Sequence, residues 1–339
     1  MNRAVILGGT GVLGRAIALH LAADGWAVDV TGRDAANMPR ELLNSGVTFV
    51  TSDRRDRVAL SRVIGAGADL VVDAACYTAA DAQLVVPLIP AVGTYVMLSS
   101  KAVYVDAAGN HVNSPTPPSF VGPIREDNPT MRPSDADADS PEGYGANKVA
   151  AEELLLDSGR LVTVLRPSKV HGMGAARPRE WMFVKRVLDR RPAVFLANGG
   201  DGGDHTTAAV NTAALVAHLA TIAPGTRVLN SADPDAPTGL EIARAVAGRM
   251  GHEWEEILLD NSHNSALGDH PWNFRPPVVL DTGAATALGY RPVGNYAQTV
   301  QLEIDELVSS AASRPSPEDR FFAPFLDYAP EDAYLAQRG

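Results

Sequence analysis

Tyr144-Gly145-Ala146-Asn147-Lys148 sets a phenol and an ammonium four residues apart. On a helix that spacing puts both side chains on one face. A free tyrosine hydroxyl, with a pKa of about 10, is a poor base at neutral pH. A cation about 4 Å away stabilises the phenolate by a few kcal/mol at an effective dielectric near 20. Lys148 is therefore expected to draw the Tyr144 hydroxyl down towards the range useful for proton transfer. Ser100 is the third group. It closes the run Val96-Met97-Leu98-Ser99-Ser100. A hydroxyl at the carboxyl end of a strand, where ligands sit in an open α/β sheet, can hydrogen-bond a reacting oxygen while Tyr144 moves the proton. Singly, each feature has an ordinary explanation: a solvated helix pair, a turn serine. In this order, behind the turn described next, they support one another.

That turn is Gly8-Gly9-Thr10-Gly11-Val12-Leu13-Gly14, directly after the apolar run Val5-Ile6-Leu7. Glycines let a backbone turn sharply and come close to a pyrophosphate. The following helix N-terminus then supplies N–H donors and the positive end of its dipole. Alone the pattern is weak, but between a first strand and a first helix it gains force.

The elements needed to hold these groups are legible upstream. Strands are expected at 5–7, 27–31, 47–51, 69–74 and 94–99, with helical stretches between them, the first from Val12 to Ala23. Near-continuous apolar strands alternating with helices imply a parallel sheet covered on both faces, doubly wound and right-handed. Residues 105–143 differ: they hold seven prolines and the acids Asp135, Asp137 and Asp139. A long loop is expected there, and such loops inside compact domains are usually functional or disordered. A helix should run from Tyr144 to about Ser158, followed by a strand at 161–165. Further on, helices are expected at 180–190, 210–221, 238–250 and 295–310, and short strands at 226–230 and 255–259. We read a dinucleotide-binding unit over 1–170 and a smaller, mixed substrate lobe over 171–339, interleaved with the first.

Composition narrows the function classes. The chain has 339 residues, 45% of them hydrophobic and 20% charged, enough for one large α/β domain with a lobe. The net charge of -11 and the lack of a Lys/Arg run argue against nucleic acid as a partner. The single cysteine, Cys76, precludes an intrachain disulfide or a cysteine metal cluster, and reads as packing. The N-terminal apolar run leads into a glycine turn and reads as a buried strand, not a signal peptide. No stretch is long enough to cross a bilayer. A cytoplasmic enzyme with a small-molecule substrate is expected. No metal site is expected, because His263 and His270 lack ligand spacing. With Trp272 and Arg275, these two histidines could instead line a substrate cleft. The aromatic tail from Arg320 to Tyr334 reads as a docked terminal segment.

These motifs resemble the extended short-chain dehydrogenase/reductase family, which includes nucleotide-sugar epimerases, dehydratases and ketone reductases. GGTGVLG resembles its glycine motif, and Ser99-Ser100-x-x-Val103-Tyr104 its serine motif. Tyr144 and Lys148 match its active-site pair, and Leu165-Arg166-Pro167-Ser168-Lys169-Val170-His171-Gly172 resembles its Arg-Pro segment. The resemblance spans most of the chain. It implies hydride transfer at nicotinamide, with Ser100, Tyr144 and Lys148 catalytic and a C-terminal lobe that chooses the substrate. It implies cofactor contacts from Gly8, Thr10, Gly11, Val12, Leu13 and Gly14, from Asp53 and Arg54 after the third strand, and from Ala74 and Ala75 after the fourth. Lys169, His171 and His205 fall where relatives meet substrate. A homodimer is an expectation from the resemblance alone. Two departures leave the substrate open: Lys169 and His171 stand where nucleotide-sugar enzymes often carry Asn and Tyr, and the 105–143 loop is long. Where 4,6-dehydratases carry an Asp-Glu pair after the catalytic hydroxyl residue, this chain has Lys101-Ala102, so that activity is not expected.

An NAD-preferring site usually carries an acid at the end of the second strand, hydrogen-bonded to the ribose 2′-hydroxyl. Here Gly32 takes that place and Arg33 follows. NADP(H) is therefore the expected cofactor and NAD(H) the alternative. The expected function is an oxidoreductase acting on a secondary alcohol or ketone, a sugar or secondary metabolite included. An epimerase that retains NAD is the second reading. A silent dinucleotide sensor is the third, and it has no use for the Ser100–Tyr144–Lys148 group.

Overall fold

The computed structural model describes residues 1–338 apart from 66, 138–139, 261–266 and 315–318. His263 and Asp139 thus lie outside the described residues. Among the described residues the strands are β1 Arg3–Leu7, β2 Ala27–Gly32, β3 Thr48–Thr51, β4 Ala68–Asp73, β5 Val92–Leu98, β6 Val162–Pro167, β7 Lys169–His171, β8 Ala193–Leu196, β9 Thr206–Ala208, β10 Arg227–Ser231 and β11 Glu255–Leu258. Seven form one sheet in the order β10-β6-β5-β4-β1-β2-β3. Every pairing in it is parallel. The chain runs outward from β1 through β2 to β3, then returns to β4 on the other side of β1. The strand order therefore reverses between β1 and β4, and a crevice opens beyond their carboxyl ends.

Alternate side chains of one strand feed two cores, as a pleat requires. On β1, Ile6 joins Ile17, Leu21 and Val30 on one face. Its neighbours Val5 and Leu7 join Val71, Leu155 and Val164 on the other. Both faces are covered, which is why these strands read as near-continuous apolar runs.

The strand at 226–230 expected among the short elements of the second half is the seventh strand of the main sheet, β10, paired with β6. The helix Ala209–Leu219 also returns to this unit and packs on the first helix, Val12–Ala23. The C-terminal lobe has its own core, with Trp181, Phe183, Ile242, Trp272 and Tyr296. Phe322 and Leu326 of the aromatic tail dock into it. The helix expected at 295–310 is two, Tyr296–Thr299 and Gln301–Ser309. The proline-rich loop is stitched to the body by short bridges, Tyr104 to Thr130 and Ile124 to Leu280. Among the described residues, no helix is long and apolar enough to cross a membrane.

Candidate active site

The glycine turn sits at the carboxyl end of β1, in the crevice. Gly8 has φ +78°, a left-handed conformation that favours glycine. Gly14 lies so close to the turn that a Cβ there would stand 2.7 Å from the Gly9 Cα and 2.8 Å from the Gly8 carbonyl oxygen. Gly11 is different. It has φ -75° as the first helix's N-cap, and a Cβ would meet nothing nearer than the Gly8 oxygen at 4.0 Å. Gly9 and Gly14 therefore make the turn compact, while Gly11 leaves its outer side open.

Two adjoining cavities flank this turn, with Gly8, Ala75 and Tyr77 in the wall of both. The larger, about 660 Å³, takes in Gly11 to Gly14, Ala74, Ser100, Tyr144, Lys148 and Lys169. The smaller, about 440 Å³, takes in Thr10, Gly32, Arg33, Asp53 and Arg54. A long ligand running across the turn from one to the other fits this shape. The Asp34 carboxylate accepts from the Ala36 amide at 2.9 Å and so closes the short turn after Arg33. Arg54 faces the smaller cavity, yet its guanidinium is held from behind. Its Nε donates to buried Asp73 at 3.2 Å and its Nη1 to the Asp81 carbonyl at 2.8 Å. Asp73 in turn accepts from the Ala75 amide at 3.1 Å. Arg54 thus shapes the turn after β4 and its charge is already paired.

Of the two serines at the end of β5, the structure separates the roles. Ser99 donates to buried Glu152, which also binds Arg166 at 2.6 Å. That buried pair ties the end of β6 to the helix Gly143–Leu156. The Ser100 hydroxyl accepts from the Ala102 amide at 3.1 Å and lies near enough to Tyr144 to pull its hydroxyl down. Lys148 is buried beneath the cleft, where its Nζ donates to the carbonyls of Cys76 at 2.8 Å and Leu98 at 2.9 Å. The ring of Tyr77 lies 4.3 Å from the same nitrogen. Burial lowers Lys148 to about 8.

The direction at Tyr144 is opposite to the one expected. Burial raises its hydroxyl above the usual value of 10.0, Tyr77 adds to the rise, and Ser100 only opposes it. The physical reason is placement. The ammonium of Lys148 is drawn onto two carbonyls below the cleft floor, while the phenol is partly buried in the cavity wall.

Two of the three substrate-side residues lie elsewhere than expected. His171 is buried between carboxylates, with Nε2 3.0 Å from Asp233 and Nδ1 3.6 Å from Glu303. Burial alone would lower it, but Asp233 and Glu303 outweigh this and raise it to about 10. His171, Glu180 and Glu303 bring ligand atoms within 4.8 Å of one another, a gathering from three separate segments that spacing could not reveal. His205 bonds the carbonyls of Asp233 at 2.9 Å and Asp235 at 3.0 Å, and accepts from the Leu280 amide at 3.1 Å. Both histidines fasten the lobe to the sheet, and neither lines the larger cavity. Lys169 does line it. From the stretch with His270, Trp272 and Arg275, it is Phe274 that reaches the wall of this cavity. His270 and Trp272 are buried. The sequence reading missed Tyr77, Arg177, Arg179, Asp204 and Phe274, and also Val112 and Asn113 from the proline-rich loop, all of which line the larger cavity.

A doubly wound parallel sheet, a glycine turn at its switch point, and a Ser–Tyr–Lys group at the carboxyl ends of its strands define a dinucleotide-dependent enzyme of the extended short-chain dehydrogenase type. The chain belongs to the NAD dependent epimerase/dehydratase family, whose model matches residues 4–201. Its fold is similar to that of a dTDP-glucose 4,6-dehydratase from Bacillus anthracis in complex with NAD, with 13% identity, a TM-score of 0.68, and 92% of this chain and 98% of that one covered. It is similar to a UDP-N-acetylglucosamine 4-epimerase from Bacillus cereus, at 17% identity and a TM-score of 0.69 over 91% and 100% of the two chains. A Thermus thermophilus UDP-glucose 4-epimerase in complex with NAD gives 20% identity and a TM-score of 0.65 over 91% and 99%. A search of curated protein sequences returns no match.

Proposed function

We propose that this enzyme is an oxidoreductase that prefers NADP(H) and interconverts a secondary alcohol and a ketone. The observation that carries the reading is the convergence of Ser100, Tyr144 and Lys148 on the cavity that also holds the glycine turn. The bound nicotinamide would supply the hydride acceptor or donor. Gly11 to Leu13 would hold the pyrophosphate on backbone amides at the helix N-terminus. Tyr144 moves the proton to or from the substrate oxygen, and Ser100 hydrogen-bonds that oxygen and holds it in line. Lys148 keeps a positive charge under the floor. Two of its three protons bind the Cys76 and Leu98 carbonyls, and the third remains for the cleft. With Tyr144 raised rather than lowered, the phenol is protonated at neutral pH, a state suited to donating a proton in the reductive direction.

Two observations support NADP(H). Arg33 lines the smaller cavity beside Gly32 and Asp53, where a 2′-phosphate would lie. Asp34 and Asp53, carboxylates that line the same cavity, each accept from a nearby backbone amide, of Ala36 and Arg55, which partly offsets their repulsion of that phosphate. Reductase is preferred to epimerase because Lys169 replaces the Asn of nucleotide-sugar enzymes. Replacing Tyr144 with Phe tests the proton-transfer role. Turnover should fall on the order of 10²–10⁴-fold while cofactor affinity holds, and turnover within about threefold of the parent would remove Tyr144 from the mechanism. An epimerase would instead purify with its cofactor and need none added.

A further inference from the structure

The net charge of the chain is -11, yet the wall of the larger cavity is cationic. Among the described residues lining it are Lys101, Lys148, Lys169, Arg177 and Arg179, against one carboxylate, Asp204. Lys148 lies under the floor, bonded to backbone carbonyls. The others gather on the substrate side. Asp204 is 2% exposed and is shared by two lysines, Lys101 and Lys169, the latter at 2.8 Å. Lys169 also donates to the Pro271 carbonyl, and its ammonium lies 5.8 Å from the centre of the Phe274 ring. Arg179 stands close enough to act electrostatically on both lysines. Two carboxylates partly offset Arg179, Glu180 and Glu303, and Glu180 also acts on Lys169; both are buried and neither is part of the cavity wall.

One carboxylate for two buried lysines is an unbalanced arrangement, and burial together with the neighbouring cations pushes both amines well below the ordinary lysine range, so that an arriving anion would favour their charged forms. Charges removed from water are held only where they are paired. The dinucleotide's pyrophosphate belongs to the glycine turn, so it does not supply the missing partner. Lys101 and Lys169 line the same cavity as Ser100 and Tyr144, so these cations share the cleft with the oxygen on which Ser100 and Tyr144 act.

We infer that the substrate carries its own anionic group, a carboxylate or a phosphate, close to the carbon that exchanges the hydride, and that Lys101 and Lys169 hold it there with Arg179. This rests on the reading of the cleft as the reaction site. It describes a short hydroxy or oxo acid, or a phosphorylated alcohol, in place of a neutral ring whose charge lies far off in a nucleotide diphosphate. Asp204 pre-positions the two lysines and keeps them apart from one another before substrate arrives.

The test is calorimetric titration of the whole protein with malonate, inorganic phosphate, neutral malonamide and UDP, with and without saturating NAD or NADP. Malonate or phosphate should bind, and which of the two binds better identifies the anion. Malonamide should not. Lys169→Met leaves the balanced Lys101–Asp204 pair and should weaken anion binding about tenfold or more, through loss of a charge-assisted contact. Asp204→Asn has the opposite sign. It releases two ammoniums to the ligand and should tighten binding and make thermal stability depend on the added anion. Failure of both small anions to bind the parent would overturn the inference. So would affinities unchanged in both variants, or Lys169-dependent binding of UDP alone. Because the readout is anion binding and not turnover, loss of dinucleotide binding would refute the proposed function separately, leaving the anion result to stand or fall on its own.

Discussion

Gly11 and Gly14 occupy the same turn and should fail in different ways when replaced by alanine. At Gly11, φ -75° is open to any residue, and an added Cβ is clear of all protein atoms to 4.0 Å. The fold should accept it, even gaining about 0.4–1 kcal/mol from a less flexible unfolded chain. The methyl would nevertheless occupy the open side of the turn, where a pyrophosphate must approach the backbone. Displacing one or two charge-assisted hydrogen bonds costs about 1.5–3 kcal/mol each, which is roughly a tenfold to hundredfold loss per bond in cofactor affinity. At Gly14 the Cβ would stand 2.7 Å from the Gly9 Cα and 2.8 Å from the Gly8 oxygen. Both obstacles are backbone, so the turn itself must open, at about 1–3 kcal/mol of stability. Gly14→Ala should therefore lose both stability and cofactor, and Gly11→Ala cofactor alone. Thermal denaturation in the absence of ligand measures the first quantity, and calorimetric titration with NAD and NADP the second. Gly11→Ala binding either cofactor within about threefold of the parent would refute the placement of the pyrophosphate at this turn. A destabilised Gly11→Ala would refute the steric reasoning.

Arg33→Ala should cut the ratio of NADP to NAD affinity about tenfold. The lower part of the charge-assisted range applies because the side chain is exposed and screened. Equal affinities in the parent, measured by fluorescence titration, would dismiss the clamp. The His171 network should make stability fall with rising pH. Its folded pKa of about 10 lies above the ordinary 6.5, so its contribution is fully present below about 6.5 and is lost as pH rises through 10. Burial pushes Glu303 up to about 7, so the native state again binds more protons, and stability falls in the same sense between pH 4.5 and 7. Other buried groups titrate in the opposite sense, Lys148 among them, so the readout is the difference in melting temperature between the parent and His171→Gln, which should shrink as pH rises from about 6.5 to 10. A parent-minus-variant difference that grows over that range would contradict the ion-pair reading. Finally, no nucleoside-diphosphate hexose should yield a 4-keto-6-deoxy product. Lys101, paired with Asp204, cannot act as the carboxylic acid and Ala102 cannot act as the base for eliminating water, and mass-spectrometric detection of that product would overturn this.

Local chemistry made much of this molecule readable from the chain alone. The alternation of apolar strands and helices determined the parallel sheet, because strands buried on both faces admit no polar break. The glycine turn and the Tyr144–Lys148 spacing determined the reaction class, because each depends on residues close in sequence. The tertiary structure decided what depends on distant segments. β10 joined the main sheet from the C-terminal half, since pairing with β6 is a non-local contact. Which of two adjacent serines serves the cleft was decided by Glu152, more than fifty residues onward, which engages Ser99. The same kind of distance turned Lys148 onto the Cys76 and Leu98 carbonyls, so that burial, not the neighbouring cation, governs Tyr144. His171 and His205 looked like ligand contacts in the chain and proved to be fastenings of the lobe, because their partners, Asp233, Glu303 and Leu280, arrive only on folding. Asp204 became a shared counter-ion for Lys101 and Lys169 in the same way. Side-chain charge can be counted in a sequence, but which charges face each other is set by the packing of elements that the sequence keeps far apart.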